Sequence, residues 1–206
     1  MKLIVVCEFS GRVRDAFIKR GVDAVSCDIK PSDSLKGPHI QGDCRDIDYS
    51  EYDAMIAFPP CTYLTCTANR WLYHPEDQDF PIELRRPHPR YPFRKSMQSK
   101  AALFVQWLWW RPVKHIAIEN PVGVLAQTIG PPTQYIQPYY FGDPQRKKTC
   151  LWLKNLPKLK ITNKVEPIVH FREGYSDPDW HKHTDPAIRS LTFPGVAAAM
   201  ADQWLK

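Results

Sequence analysis

The sequence predicts an α/β fold, doubly wound around a mostly parallel sheet of seven strands. Two observations carry this: short apolar runs rich in β-branched residues recur along the chain, and helical patterns or loops separate them. A third concerns placement, because residues suited to binding or catalysis follow directly after those runs. The length of 206 residues suits a single domain with a substantial core.

The elements follow in chain order. MKLIVVCEF reads directly as a strand over Leu3 to Cys7, without a signal peptide's cleavage pattern. RVRDAFIKR, Arg12 to Arg20, places Val13, Ala16 and Phe17 at helical spacing. Strands are expected at Ala24 to Cys27, His39 to Gln41 and Ala54 to Phe58. Tyr63 to Lys95, rich in proline, arginine and aromatics, breaks the alternation and reads as an insertion or lid. Ser96 to Trp109 returns to helical spacing through Ala101, Leu103, Phe104, Trp107 and Leu108. Further strands are expected at His115 to Ile118, Gln134 to Tyr139 and Thr149 to Leu153. Lys154 to Pro186 is a polar, basic segment suited to handling substrate. Residues 187–206 end in a helix from about Pro194 to Leu205, packed on the same domain. No repeat, heptad or membrane-spanning run is present.

Charge is local. Gly142 to Arg172 holds eight Lys or Arg against Asp143 and Glu166, whereas the rest of the chain is balanced. A basic patch on a neutral body suits a polyanion, because neutralised phosphates release counterions. The six cysteines form no C-x-x-C pair, which fits a reduced, cytoplasmic setting. His170, His181 and His183 read as solvated or phosphate-facing, so no metal is expected.

In open parallel sheets, ligands lie beyond the carboxyl ends of the strands. Five such ends carry Glu8-Phe9-Ser10-Gly11, Asp28, Asp43, Pro59-Pro60-Cys61 and Glu119-Asn120. Asp28, about twenty residues past the first turn, suits the hydroxyls of an adenosine ribose. With one glycine, the turn suits a nucleoside bearing an amino acid tail better than a pyrophosphate. Taken singly, Gly11 equally reads as turn geometry and Asp28 as a helix cap. A thiol at Cys61 on a stiff Pro-Pro segment is exposed and held in one place. A carboxyl group at Glu119 in the same pocket can polarise a cytosine ring, so that the thiolate adds to carbon 6.

FSG after the first strand, Asp28, GDCRDI, FPPCT, IENP, PQRKKT and TFPGVAAAMADQW occur in the motif order of the DNA cytosine-5 methyltransferases, which the chain resembles over most of its length. The resemblance implies a Rossmann-like methyltransferase sheet with S-adenosyl-L-methionine as cofactor. It places the cofactor against Phe9, Ser10, Gly11, Asp28, Ile29, Asp43, Cys44, Phe58 and Pro59. It also implies Cys61 as nucleophile, Glu119 on the cytosine edge, Asn120 at the substrate, and duplex or single-stranded DNA as partner. A target base in a duplex would be flipped out.

The chain departs from the family where Pro59-Pro60-Cys61-Thr62 stands for Gly-Pro-Cys-Gln and where Lys147 and Thr149 stand for two arginines. Arg146, Lys147 and Lys148 are therefore read only as a basic cluster near substrate. Only Lys154 to Pro186 is available as a recognition segment, a size that resembles phage or mobile-element members. Trp71, Arg85, Arg86, Arg90, Tyr91 and Arg94 are candidates to stack on bases or clamp phosphates. Phe58 cannot accept bonds from an exocyclic amine, which disfavours amino methylation. RNA, a free cytosine nucleotide, and a non-catalytic nucleic-acid-binding relative are the rival readings.

Overall fold

The computed structural model describes residues 1–172, 175–178 and 185–204. The anticipated strands form as β1 (Lys2–Val6), β2 (Asp23–Asp28), β3 (His39–Gln41), β4 (Ala54–Ala57), β5 (His115–Pro121), β6 (Gln134–Ile136) and β7 (Thr149–Lys154). They make one seven-stranded sheet in the order β3-β2-β1-β4-β5-β7-β6. β1 to β5 are parallel, and β7 runs antiparallel between β5 and β6. β6 stops short of the expected Tyr139 because Pro138 opens a 3-10 turn and has no N–H for a ladder. β5 extends past Ile118 because β7 pairs Glu119 with Leu151 and Asn120 with Cys150. Glu119 and Asn120 thus sit on the strand rather than in a loop after it.

Alternation along the strands separates two layers. Leu3, Val5, Ile56 and Leu151 pack with Val13 and Phe17 of α1 (Arg12–Ile18) and Val196 and Met200 of the C-terminal helix Pro194–Gln203. Ile4, Val6, Met55 and Ile118 pack with Val105 and Leu108 of α2 (Arg94–Trp109). Helices therefore cover both faces. Two short helices, α3 (Ala126–Ile129) and α4 (Pro186–Ser190), precede the C-terminal one, α5. The expected end of α5 at Leu205 lies outside the described residues.

The segment expected to handle substrate divides in two. Leu159 is buried and exchanges two 2.8 Å hydrogen bonds with the Gln134 amide, and the Trp204 indole donates to Pro157 O at 2.8 Å. Leu159 thus anchors this first part to the core, while Lys158, Lys160 and Lys164 stay exposed. Beyond it, β8 (Val169–Arg172) and β9 (Tyr175–Pro178) form a separate antiparallel ladder. Polar composition gave no sign of these strands.

Strand order reverses between β1 and β4, so the loops after them flank one crevice. The two ends are joined where Phe58 N donates to Val6 O at 3.0 Å.

Candidate active site

The crevice begins with a strained residue: Cys7 has φ 58° at the end of β1, a left-handed conformation costing roughly 1–2 kcal/mol for a side-chain-bearing residue. Glu8 follows, buried. Its Oε1 accepts from Val13 N at 2.7 Å and Ser10 Oγ at 3.2 Å, and its Oε2 accepts from Arg14 N at 3.4 Å. Glu8 thereby caps α1, whose N-cap residue Gly11, at φ 71°, has no side chain to do so. Burial raises Glu8 to about 7 despite these bonds.

That shift has a signed consequence. Between about 4.5 and 7 the unfolded carboxyl has lost a proton that the folded one keeps, so stability falls as pH rises. Relative to Glu8→Gln, the wild type is expected to lose about 3 kcal/mol across that window. Denaturant titrations at pH 4 to 8 measure this, and a constant difference between the two proteins would refute it.

The remaining cofactor candidates line the β1-β2-β3 side. Asp28 Oδ1 accepts from Lys30 N at 2.9 Å, and Gly42 N donates to Asp28 O at 2.9 Å, which brings the ends of β2 and β3 together. Ile29 is 72% exposed, an apolar face beside a carboxylate. Phe9 lies under Lys30 Nζ, 4.7 Å from its ring centroid. Asp43 pairs with Arg45 at 2.7 Å. Cys44 is buried; its thiol is hydrogen-bonded to Cys7 and its carbonyl accepts from Tyr49 OH at 2.9 Å, so towards the crevice it offers backbone. Phe58 is partly buried against the α1–α5 layer, and Pro59 is buried.

Arg14 organises this edge and was not anticipated, although an arginine between Val13 and Phe17 of an apolar stripe was the available signal. It is fully buried. Its guanidinium donates to Ser26 Oγ (2.9 Å), Ser32 Oγ (3.3 Å), Pro38 O (3.3 Å), Ser34 O (3.1 Å) and Asp15 Oδ1 (2.8 Å). Together with Ser34 Oγ donating to the Asp15 carboxylate, this side chain holds the loop after β2 to α1.

On the other side of the switch point, Asn120 is buried and donates Nδ2 to Pro59 O at 2.8 Å. It ties the Pro59-Pro60-Cys61 segment to β5. Cys61 is half-buried. Glu119 and Thr149 lie on one face of the β5–β7 ladder, and Lys147, in the stretch just before β7, lines the same recess. Arg146 and Lys148 are exposed; Lys148 lies over Tyr135 at 4.5 Å. Of the basic cluster, Lys147 is the member that acts on Cys61 and Glu119.

Burial pushes Glu119 above the usual carboxyl range, opposed by Lys147 and Thr149. Burial and then Glu119 push Cys61 up, opposed by Lys147 and Arg189. Both groups therefore hold their protons more tightly than in water. Cys27 and Cys150, also pushed up by burial, reach about 12 and 11. Lys147 is anchored by donating Nζ to Arg189 O at 2.9 Å. Lys147→Met is expected to raise the Cys61 pKa further. Alkylation of Cys61 by iodoacetamide at pH 8, followed by mass spectrometry, should slow several-fold; an unchanged rate counts against the coupling.

Glu119, Lys147 and Thr149 line a recess closed by Leu191, Thr192 and Phe193. Its free volume is about 20 Å³, room for one water, so a pyrimidine enters only if that rim shifts.

The lid over residues 63–95 is packed within itself. Asp77, buried, is held down to about 2 by its bonds to Arg86. Trp71 makes edge contacts with His88 (5.2 Å) and Tyr91 (5.4 Å). Arg85 donates to Phe80 O and Gln78 O, and Arg94 donates to Thr62 O. Five of the six residues expected to meet nucleic acid, Trp71, Arg85, Arg86, Tyr91 and Arg94, are thus engaged in building the lid, whereas Arg90 is exposed. Composition alone could not distinguish the two uses.

Among the described residues, no group of three or more His, Cys, Asp or Glu is placed to hold a metal, and no helix is long and apolar enough to cross a membrane. His181 and His183 lie outside the described residues. No protein-family model and no curated protein matches the chain.

Proposed function

We propose that the chain is a methyltransferase that transfers a methyl group from S-adenosyl-L-methionine to carbon 5 of cytosine in DNA through a covalent adduct at Cys61. The sheet, covered by helices on both faces and reversing order at β1/β4, suits the doubly wound fold such enzymes use. The observation that carries the reading is the coupling of Cys61, Glu119 and Lys147 on a segment that Asn120 fixes beside the switch point. Six free thiols suit a reducing compartment, the cytoplasm.

The cofactor candidates fit an adenosine with an amino acid tail, since exposed Ile29 offers a face to a purine and Asp28 a carboxylate to ribose hydroxyls. S-adenosylmethionine bound there would supply an electrophilic methyl group, its sulfonium–methyl bond breaking to leave a neutral thioether. Cys61 Sγ, once deprotonated, adds to carbon 6 of the ring. Lys147 favours the thiolate. Glu119, whose proton affinity burial raises, in its protonated form donates to ring nitrogen 3 and stabilises the electron density displaced onto it. Carbon 5 then takes the methyl group. A base removes the hydrogen on carbon 5 as a proton, the carbon 6–sulfur bond breaks, and the electron pair returns to Cys61.

The test is transfer of labelled methyl from S-adenosylmethionine to duplex DNA, single-stranded DNA, RNA and dCMP. Label on carbon 5 of cytosine in DNA supports the reading, whereas label confined to RNA or dCMP replaces the substrate. Binding of cofactor and DNA without transfer to any of them would establish the non-catalytic alternative.

A further inference from the structure

The lid holds a hollow that no step above uses. Leu72, Tyr73, Ile82, Glu83, Arg85 and Lys95 line it, together with two prolines, and its volume is about 400 Å³. This lies within the roughly 300–1,000 Å³ typical of small-ligand sites. Around it the lid leaves large apolar side chains in solvent, Phe80 at 53%, Ile82 at 56%, Leu84 at 70% and Phe93 at 76%. A segment so thoroughly bonded within itself would ordinarily turn such groups inward.

The aromatic element of the hollow is Tyr73. Its backbone is pinned by a bridge to Pro87 and by His74 N donating to Arg86 O at 2.9 Å. Two cations attend its ring, Arg85 at 5.8 Å and Lys95 at 5.7 Å from the centroid. Arg85 is held in place by the carbonyls of Phe80 and Gln78. Lys95 is exposed on the first turn of α2 and has a flexible stem. Glu83 adds a carboxylate, which accepts from the exocyclic amino group of a base. An aromatic face, a movable cation and one acceptor together match a nucleobase with its phosphate.

We propose that this hollow seats one amino-bearing base of the substrate strand other than the target cytosine, stacked on Tyr73, with its phosphate paired to Lys95. The proposal rests on the nucleic-acid reading above. It also supplies a route to the reaction centre, because Arg94 donates to Thr62 O and Gln98 to Tyr63 O, each at 2.9 Å, in the residues following Cys61. An occupied hollow therefore bears on the segment that carries the nucleophile, and the lid reads a neighbouring position.

The experiment uses the full chain and short single-stranded and duplex oligonucleotides with one target cytosine. 2-Aminopurine is walked through the neighbouring positions in both fluorescence and methyl-transfer assays. For the wild type, quenching should appear at one neighbouring position. Tyr73→Leu and Lys95→Gln should each remove it and weaken oligonucleotide binding, about tenfold for the tyrosine. Glu83→Gln should relax the preference for an amino-bearing base there. Lys95→Gln lies on the surface and serves as the variant least prone to misfolding. If the wild type binds and methylates while both variants match it at every position, the hollow is not a base site and the proposed function stands. If the wild type neither binds nor methylates any oligonucleotide, both fail together.

Discussion

Cys61→Ala is expected to lower methyl transfer by about 10³-fold or more, because no other group can form the bond to carbon 6 that makes carbon 5 reactive. The fold should be unaffected, since the segment is held through Pro59 O by Asn120 and through Cys61 O by Leu64 N, neither of which involves the thiol. Under the proposed function, cofactor binding at the β1-β2-β3 edge should also persist. The measurement pairs transfer kinetics with a denaturing gel of enzyme incubated with a 5-fluorocytosine oligonucleotide and cofactor. Wild type should form a stable adduct and the variant none. Transfer by the variant within a few-fold of wild type would eliminate covalent catalysis at this residue.

Arg14→Met should have the largest effect on stability, a loss of about 3–5 kcal/mol, because removing a buried cation strands its partners. Asp15 would lose its ion pair, and the carbonyls of Ser34 and Pro38 and the hydroxyls of Ser26 and Ser32 would lose donors. Arg14→Lys should rescue little, since one ammonium cannot span acceptors arranged around a planar fork. Small residues have been fitted to this group: a Cβ on Gly37 would lie 2.8 Å from Arg14 Nε and 2.5 Å from Ile18 Cδ1. Urea titration measures the loss, and cofactor affinity should fall with it because the loop after Asp28 is released. A change below about 1 kcal/mol would show that the neighbours rearrange and that the clamp is dispensable.

Much of the sheet was legible because buried parallel strands read as short β-branched runs, and these were found from Leu3 to Leu153 in the right order. Their limits were less so. Glu119 and Asn120 look like a polar exit from a strand, yet an antiparallel partner distant in sequence carries the ladder through them. The β8–β9 ladder falls in a stretch whose polarity resembles a loop. Pattern reasoning weighs near neighbours, whereas strand extent depends on pairing.

The site divides in the same way. Cys61 and Glu119 are legible as candidates, because a thiol and a carboxyl after adjacent strands are reactive types. Asn120 shares the dipeptide, but its neighbouring position on the strand turns it to the opposite face, where it holds Pro59 O, a contact the dipeptide alone does not announce.

By itself the sequence determined which residues are apolar and at what period, and therefore the strands, the main helices and the strand ends where reactive groups gather. Only the tertiary structure decided that Lys147 rather than Arg146 or Lys148 lines the recess with Glu119, that Arg14 is buried, and that Arg85 and Arg86 bind their own loop. The physical reason is that periodicity is a local property of the chain. Which side chain faces which depends on the register between distant segments and on the donors and acceptors that packing happens to bring within reach.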